Sequence, residues 1–162
     1  IESGAITLNA EMVELSALVA ESASLLRTRT EPAEVRIACE SDPIAVEADR
    51  ASLLRVVSNL LDNATKWSPR GSTVRVWMRD EGEVVALCVQ DEGPGIPDQD
   101  LARVFERFYK GEASRSAAGV GLGLAIVKHL VRAHGGTATV ESPPGEGALF
   151  TVRLPKVFVG LR

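Results

Sequence analysis

The chain has 162 residues, of which 22 are acidic and 18 are basic, so its formal net charge is −4. Its 45% of apolar residues can fill the core of one domain, and its acidic balance argues against non-specific binding of nucleic acid, which requires a basic surface. Because no apolar run approaches the roughly 18 residues of a membrane span and no signal-peptide pattern opens the chain, we expect a soluble single-domain protein.

Hydrophobic periodicity predicts the elements of the first half of the chain. Apolar residues recur every three or four positions across residues 9–29, which predicts a helix. Residues 35–39 have the pattern of a half-buried strand, and residues 44–48 are predicted to form a second strand after the turn at Asp42-Pro43. Asp49 then has the position of a helix cap, and the second helix that it begins is expected to end at Pro69.

The second half of the chain predicts a hairpin, two helices and a final strand pair. In order, these are strands at 72–79 and 84–90, a short helix from about 98, a mobile loop at 111–118, a helix at 121–133, and strands at 137–141 and 148–154. Helices segregated against hairpin-connected strands are typical of the α+β class. We therefore predict a two-layer α/β sandwich, with about three main helices on a five- or six-stranded, mixed, largely antiparallel sheet.

The two cysteines carry no metal-binding pattern. Cys39 and Cys88 lie singly in apolar, strand-like runs. Isolated cysteines in such runs are usually small apolar core residues. Both are therefore predicted to be buried, reduced thiols.

Three polar residues share one face of the second predicted helix. Asn59, Asn63 and Lys66 are spaced i, i+4 and i+7, beside the apolar stripe, so they are expected at the edge of a cleft. One interpretation is a solvated polar stripe. The other is a site in which amide oxygens coordinate a hard cation and Lys66 meets the accompanying anion.

Two glycine-containing segments add possible ligand contacts. Asp91 follows a predicted strand and can accept a hydrogen bond from an exocyclic amine, while Gly93 and Gly95 allow close approach of the backbone to a flat ligand. This segment is also compatible with a simple turn. Residues 119–124, Gly-Val-Gly-Leu-Gly-Leu, open a helix, where exposed amides favour phosphate or where the glycines serve as the hinge of a lid.

Aromatic residues precede the predicted mobile loop. Phe105, Phe108 and Tyr109 fall within five positions and are expected to anchor that loop by apolar contact. Lys110 follows directly. A cation at the start of a mobile segment can reach a terminal phosphate when the segment closes.

Taken in order, these segments resemble the N, G1, F and G2 boxes of the catalytic ATP-binding domain of two-component sensor histidine kinases. That family shares a superfamily with gyrase, a heat-shock chaperone and mismatch-repair ATPases. The four stretches are Asn59-Leu-Leu-Asp-Asn63-Ala-Thr-Lys66-Trp67-Ser68-Pro69, Asp91-Glu-Gly-Pro-Gly-Ile-Pro97, Phe105-Glu-Arg-Phe-Tyr109 and Gly119-Val-Gly-Leu-Gly-Leu-Ala-Ile-Val127. Their order and spacing both match, and the resemblance extends over about residues 35–154.

The resemblance implies a Bergerat-type fold that binds ATP and Mg²⁺. Asn63, helped by Asn59, would coordinate Mg²⁺, Lys66 would contact phosphate, and Asp91 would accept the adenine amino group. Further nucleotide contacts would come from Trp67, Gly93, Gly95, Ile96, Lys110, Gly119, Gly121, Leu122, Gly123 and Leu124. Trp67 departs from the family pattern, in which tyrosine is usual at this position.

Asn59 has a consequence for the chemistry. In relatives that hydrolyse ATP, the residue one helical turn before the metal-binding asparagine is typically a glutamate that activates water. An amide cannot accept that proton, so we expect ATP to stay intact until another nucleophile arrives. Catalysis would then depend on positioning and charge neutralisation, with Asn59, Lys66 and Lys110 as the catalytic residues.

The resemblance also implies a longer parent protein. We expect residues 1–30 to form a helix leading in from a dimerisation domain, 31–155 to form the catalytic domain with a lid at about 106–120, and 156–162 to form a tail. His129 and His134 lack the context of a phosphoacceptor histidine, so structural roles are predicted for both, with the acceptor outside this chain.

The implied partners are the histidine-containing dimerisation domain of the same kinase and the receiver domain of a response regulator, with no nucleic acid. The isolated domain would be a cytoplasmic monomer, and the bacterial parent a homodimer anchored in the inner (plasma) membrane. Two alternatives stay open: a serine kinase of the anti-sigma-factor type, and a nucleotide-gated binding module without phosphotransfer. The segment at 105–109 and the glycine spacing at 119–124 favour the histidine kinase.

Overall fold

The computed structural model describes residues 7–29, 35–107, 109 and 123–159, which form seven strands and four helices. In chain order these are β1 (Ala10–Glu14), α1 (Leu15–Arg29), β2 (Arg36–Cys39), β3 (Ala45–Asp49), α2 (Arg50–Trp67), β4 (Thr73–Asp80), β5 (Val84–Gln90), α3 (Asp98–Leu101), α4 (Gly123–Ala133), β6 (Thr137–Glu141) and β7 (Leu149–Pro155). Of the helices in these ranges, none combines the length and apolar character needed to cross a bilayer.

The main sheet has five strands in the order β2-β4-β5-β7-β6. Only β2 and β4 are parallel, while the other neighbouring pairs of this sheet are antiparallel. A second, two-stranded sheet pairs β1 with β3. With helices α1, α2 and α4 packed beside the sheet, the predicted α+β sandwich with a mixed, largely antiparallel sheet is confirmed.

One apolar core lies between the helices and the main sheet. The inward face of α2 buries Ser52, Leu53, Val56, Val57, Leu60, Leu61 and Ala64. On β4, alternation directs Val74, Val76 and Met78 inward and leaves Arg75 and Arg79 exposed. The predicted cap is also present, because the Asp49 carboxylate accepts a hydrogen bond of 3.0 Å from the amide of Ser52.

The prediction of a helix over residues 9–29 is wrong for residues 9–14. Residues Ala10–Glu14 form β1, in register with β3 so that Met12 lies opposite Glu47 and Val13 opposite Val46. Apolar spacing alone fits a helix here, but pairing with β3 buries Val13 and satisfies the backbone in a ladder. The helix that follows buries Leu15, Leu18 and Val19 in the common core, whereas the proposed division of the chain at residue 30 stays a prediction.

The described part of the predicted tail is fixed to β3. The Glu47 amide donates to the Lys156 carbonyl at 2.8 Å, and the Glu47 carboxylate accepts from the Phe158 amide at 3.1 Å. Phe158 also packs edge-on against His134, with ring centroids 5.7 Å apart. Residues 156–158 therefore run beside the strand that β1 flanks on its other side.

The two cysteines have different surroundings. Cys88 is buried in β5, as predicted, and burial raises the pKa of its thiol. The prediction for Cys39 is wrong, because this residue is exposed. Cys39 ends β2, which is an edge strand of the main sheet and therefore has a neighbouring strand on one side only.

Candidate functional site

The polar face of α2 lies at the margin of the core. Asn59 and Asn63 are half-buried and Lys66 is exposed, beside the buried apolar stripe of the same helix. α4 begins next to this face, because a Cβ added to Gly123 would lie 3.9 Å from the Asn59 side-chain oxygen. The start of α4 therefore lies close to Asn59.

This donor set suits a hard cation that is shared with an anionic ligand. Amide oxygens are hard donors, and Mg²⁺ usually takes one or two protein ligands together with phosphate oxygens and water. Asn59 and Asn63 supply two such oxygens, one helical turn apart, on a half-buried face. In the described ranges there is no group of three or more His, Cys, Asp or Glu side chains placed to hold a metal ion.

Asp91, directly after β5, is the buried acid of the site. Its side chain is almost fully buried, with a residue exposure of 4%, and its Oδ1 accepts hydrogen bonds from the amides of Gly93 (2.9 Å) and Ala148 (3.1 Å). Burial raises the pKa of this carboxyl, and the two amide hydrogen bonds act in the opposite direction. Within the part of the chain that the structure describes, both hydrogen bonds end on Oδ1, so Oδ2 can accept one from a ligand.

The glycines after Asp91 are required by contacts within the protein itself. A Cβ on Gly93 would lie 2.7 Å from the backbone oxygen of Trp67, at the end of α2. Gly95 has φ +84°, and its Cβ would lie 2.8 Å from Ser142 Oγ. The loop therefore packs tightly between α2 and the connection of β6 to β7.

That connection contributes site residues that the sequence analysis missed. Ser142 is buried, and its hydroxyl accepts a hydrogen bond from the Ile96 amide (2.7 Å) and donates one to the Gly147 carbonyl (2.6 Å). Gly147 has φ +68°, and a Cβ there would lie 2.2 Å from the backbone oxygen of Asp91. The available signal was the pair Gly145 and Gly147, which repeats the spacing of Gly93 and Gly95.

The aromatic segment is anchored at both of its described ends. Phe105 packs edge-on against Phe150 of β7, with ring centroids 6.0 Å apart. The hydroxyl of Tyr109 donates to the buried Asp100 carboxylate, which raises the pKa of Tyr109, and the Arg103 guanidinium lies 4.4 Å from the Tyr109 ring centroid. Phe105 makes the expected apolar contact, whereas Tyr109 is held by a hydrogen bond and a cation. Phe108 and the loop at 111–118 lie outside the described residues, so the anchoring of that loop stays a prediction.

The structure places ten of the predicted site residues and brings them to three neighbouring elements. The described ones are Asn59, Asn63, Lys66 and Trp67 on α2, Asp91, Gly93, Gly95 and Ile96 in the loop after β5, and Gly123 and Leu124 at the start of α4. Lys110, Gly119, Gly121, Leu122 and nearly all of the predicted lid lie outside the described residues. The roles assigned to all these residues remain predictions.

Comparison with protein families and curated sequences identifies relatives. Residues 48–157 match the family described as "Histidine kinase-, DNA gyrase B-, and HSP90-like ATPase". The sensor-like histidine kinase SenX3 of Mycobacterium tuberculosis (strain ATCC 25618 / H37Rv) is 40% identical over 146 residues, covering 88% of this chain and 36% of the relative. The signal transduction histidine-protein kinase/phosphatase MprB of Mycolicibacterium paratuberculosis is 45% identical over 150 residues, covering 90% of this chain and 28% of the relative.

Solved structures show the same architecture. The mycobacterial sensor histidine kinase MprB is similar with a TM-score of 0.80 at 35% identity, covering 93% of this chain and 100% of that one. The catalytic domain of histidine kinase ThkA gives 0.81 at 25% identity, covering 93% and 97%. Full-length ShkA in complex with AMPPNP gives 0.82 at 31% identity, covering 98% of this chain and 33% of that one.

Proposed function

Because the chain belongs to the histidine kinase-, DNA gyrase B- and HSP90-like ATPase family, we propose that it is the ATP-binding catalytic domain of a sensor histidine kinase. In this proposal the domain binds Mg-ATP and transfers the γ-phosphoryl group to a histidine on a separate dimerisation domain. The observation that carries the proposal is the buried Asp91 carboxylate, which has Oδ1 bonded to backbone amides and Oδ2 available to a ligand. The two curated relatives are named as histidine kinases, and this chain spans about a third of their length.

The adenine end of the nucleotide lies between Asp91 and the loop that follows it. Asp91 Oδ2 accepts a hydrogen bond from the 6-amino group, and Gly93, Gly95 and Ile96 line the flat faces of the base. A buried carboxylate held by two amides is preorganised for this contact, because it does not have to reorient when the base arrives. Trp67, half-buried at the end of α2, walls the same site.

The phosphate end lies along the polar face of α2. Asn63 and Asn59 would hold Mg²⁺, which when bound neutralises charge on the β- and γ-phosphates. Lys66 contacts a phosphate from the same face, and the first amides of α4 approach the phosphates beside Asn59. Lys110, Gly119, Gly121 and Leu122 belong to the proposed lid, together with Gly123 and Leu124 at its end.

The proposed reaction is an in-line displacement at the γ-phosphorus. A lone pair on a ring nitrogen of the acceptor histidine forms the new N–P bond, the bond from the γ-phosphorus to the bridging oxygen breaks, and ADP leaves with that electron pair. Asn59 cannot remove a proton from water, so the domain holds ATP without activating its hydrolysis. Lys66 and Lys110 counter the charge that develops on the transferred group.

The proposal extends to the parent protein. Its partners would be the dimerisation domain of the same kinase and a response regulator receiver domain, with a monomeric isolated domain and a homodimeric parent anchored in the inner membrane. Residues 31–155 would form the catalytic domain, residues 1–30 would lead in from the dimerisation domain, and residues 156–162 would form a tail.

The test mixes this domain, Mg-ATP labelled on the γ-phosphate, and a purified dimerisation domain from a similar kinase, with Asp91→Asn as the negative control. We expect phosphate that is labile to acid and stable to alkali, the chemistry of phosphohistidine, on the acceptor. Acid-stable phosphate would identify a serine kinase instead. Tight ATP binding without transfer to any dimerisation domain would identify a nucleotide-gated binding module.

A further inference from the structure

We propose that Ser142 is a positioning residue for adenine recognition, which aims the Asp91 carboxylate by fixing the peptide plane that holds it. This inference rests on the proposed function, since it concerns how the adenine-binding acid is held. Ser142 lies in the connection of β6 to β7 and contacts the loop that follows Asp91.

The Ser142 hydroxyl accepts one hydrogen bond and donates another, and both partners are backbone groups. It accepts from the Ile96 amide at 2.7 Å, and its single proton is donated to the Gly147 carbonyl at 2.6 Å. Ser142 is 8% exposed, so water has little access as an alternative partner. One buried hydroxyl therefore ties the loop after Asp91 to the turn before β7.

The hydrogen bond from Ser142 acts on Asp91 through one planar peptide group, that of Gly147 and Ala148. The Gly147 carbonyl and the Ala148 amide belong to the same planar peptide group, so they point in opposite directions and turn together. Ser142 binds the carbonyl end of this plane, and Asp91 Oδ1 accepts from the amide end at 3.1 Å. A rotation of the plane would therefore misdirect the amide that holds Asp91.

The two glycines explain why an external tie is needed. Gly147 and Gly95 have φ values of +68° and +84°, and neither has a side chain that restricts rotation of the following peptide plane. The Ser142 hydroxyl bonds to both of these peptide planes. It donates to the carbonyl oxygen of the Gly147–Ala148 peptide and accepts from the amide nitrogen of the Gly95–Ile96 peptide. The hydroxyl supplies the orientation that the glycine backbone leaves open.

The experiment measures what the 6-amino group of adenine contributes to binding. Affinities of Mg-ATP and of purine riboside 5′-triphosphate, which lacks that amino group, are determined for the wild-type domain, Ser142→Ala and the control Ser22→Ala. Ser22 is also a buried serine, but it lies on α1, where its Oγ accepts from Ser58 Oγ at 3.3 Å. The readout is the ratio of the two affinities, which a general loss of stability would not change.

We expect loss of the amino group to weaken binding to the wild type and to Ser22→Ala by about tenfold, as for a hydrogen bond to a charged acceptor. In Ser142→Ala the ratio should fall to about threefold or less, because the acceptor is no longer aimed. An unchanged ratio in Ser142→Ala, with or without an equal loss for both ligands, would overturn the positioning role and leave the proposed function standing. A wild type that does not prefer ATP would instead contradict the assignment of Asp91.

A measurement on the unaltered domain covers the case in which Ser142→Ala does not fold. Amide hydrogen exchange in the wild type should be slow at Ile96, whose only described acceptor is the Ser142 hydroxyl. Exchange at Ile96 as fast as in an unstructured peptide would contradict the hydrogen bond to Ser142 and, with it, the positioning role.

Discussion

The backbone amide of Asp49 donates a hydrogen bond of 3.1 Å to Nε2 of His134, which lies 85 positions later in the chain. The other ring nitrogen of His134 donates to the Leu130 carbonyl at 2.8 Å, which assigns the neutral ring with its proton on Nδ1. His134 is buried, so this imidazole joins the end of α4 to the start of α2 and is structural, as the sequence analysis predicted.

Replacing His134 by phenylalanine should destabilise the fold. A flat aromatic ring is kept, but the Asp49 amide loses its acceptor, at a cost of about 1–3 kcal/mol in the free energy of unfolding. Urea denaturation measures the change. The matched control is His129→Phe, because His129 lies on the same helix and is exposed, and its effect should stay within about 0.5 kcal/mol. Equal effects of the two variants would contradict the role of His134.

Asp91→Asn should separate folding from nucleotide binding. The amide oxygen can still accept from Gly93 and Ala148, but the amide nitrogen would place a donor where the adenine amine donates. Burial raises the pKa of Asp91, which means that its ionised form lowers the free energy of unfolding. A neutral asparagine side chain removes this destabilisation. We expect unchanged or higher thermal stability and loss of ATP binding by calorimetry. Binding at wild-type affinity would contradict the adenine contact.

The affinity for ATP should weaken as the pH falls, starting above the usual aspartate pKa of about 3.9. The pKa of Asp91 is raised by burial, so protonation removes its charge at a higher pH than in an exposed aspartate. The effect on folding has the opposite sign, because protonation of Asp91 relieves the buried charge. Titrations at several pH values with ATP and with purine riboside 5′-triphosphate test this. An equal pH dependence for the two ligands would exclude Asp91 as the cause.

Two glycines of one turn offer a matched pair for alanine substitution. Both have positive φ, +80° at Gly145 and +68° at Gly147, so each substitution should cost about 1–2 kcal/mol from the backbone alone. A Cβ at Gly145 would meet nothing within 4 Å, whereas one at Gly147 would overlap the backbone oxygen of Asp91. Gly147→Ala should therefore cost at least about 2 kcal/mol more in denaturant unfolding. Equal costs would contradict the close contact.

Asn59→Glu should raise the hydrolysis of ATP in the absence of an acceptor. A carboxylate at this position could take a proton from water, and general-base catalysis contributes up to about 10²–10⁴-fold in rate. Steady-state phosphate release measures it, with Asn59→Gln as the control that keeps an amide. Rapid phosphate release by the wild-type domain would contradict the hypothesis that ATP is held intact.

Most of the fold could be predicted because its elements have clear local periods. The apolar stripe of α2, the Asp49 cap and the patterns of β4 and β5 can each be recognised within a few residues of sequence. β1 has no such local pattern. Its apolar residues continue the spacing of α1, and only its partner strand β3, more than thirty residues away, decides that it is extended.

In the candidate site, too, the residues with a local sequence pattern could be predicted and those that depend on tertiary contacts could not. Asn59, Asn63 and Lys66 could be placed on one face from helical spacing alone, and Asp91 from its position at the end of a strand. Ser142 could not be found in this way, because its partner Ile96 lies 46 positions earlier in the chain and meets it only in the folded structure. Its hydrogen bonds are a product of tertiary structure.

Glu47 brings the first strand and the segment after the last strand close together. Met12 lies opposite Glu47 on one side, and the Glu47 amide donates to the Lys156 carbonyl on the other, so with a strand spacing of about 4.8 Å Met12 and Lys156 are separated by about 10 Å. Neighbouring ends allow a domain to be inserted into, or exchanged between, longer chains without opening its sheet. Met12 and Lys156 both lie beside Glu47 of the two-stranded sheet, whereas Asp91 follows β5 of the main sheet.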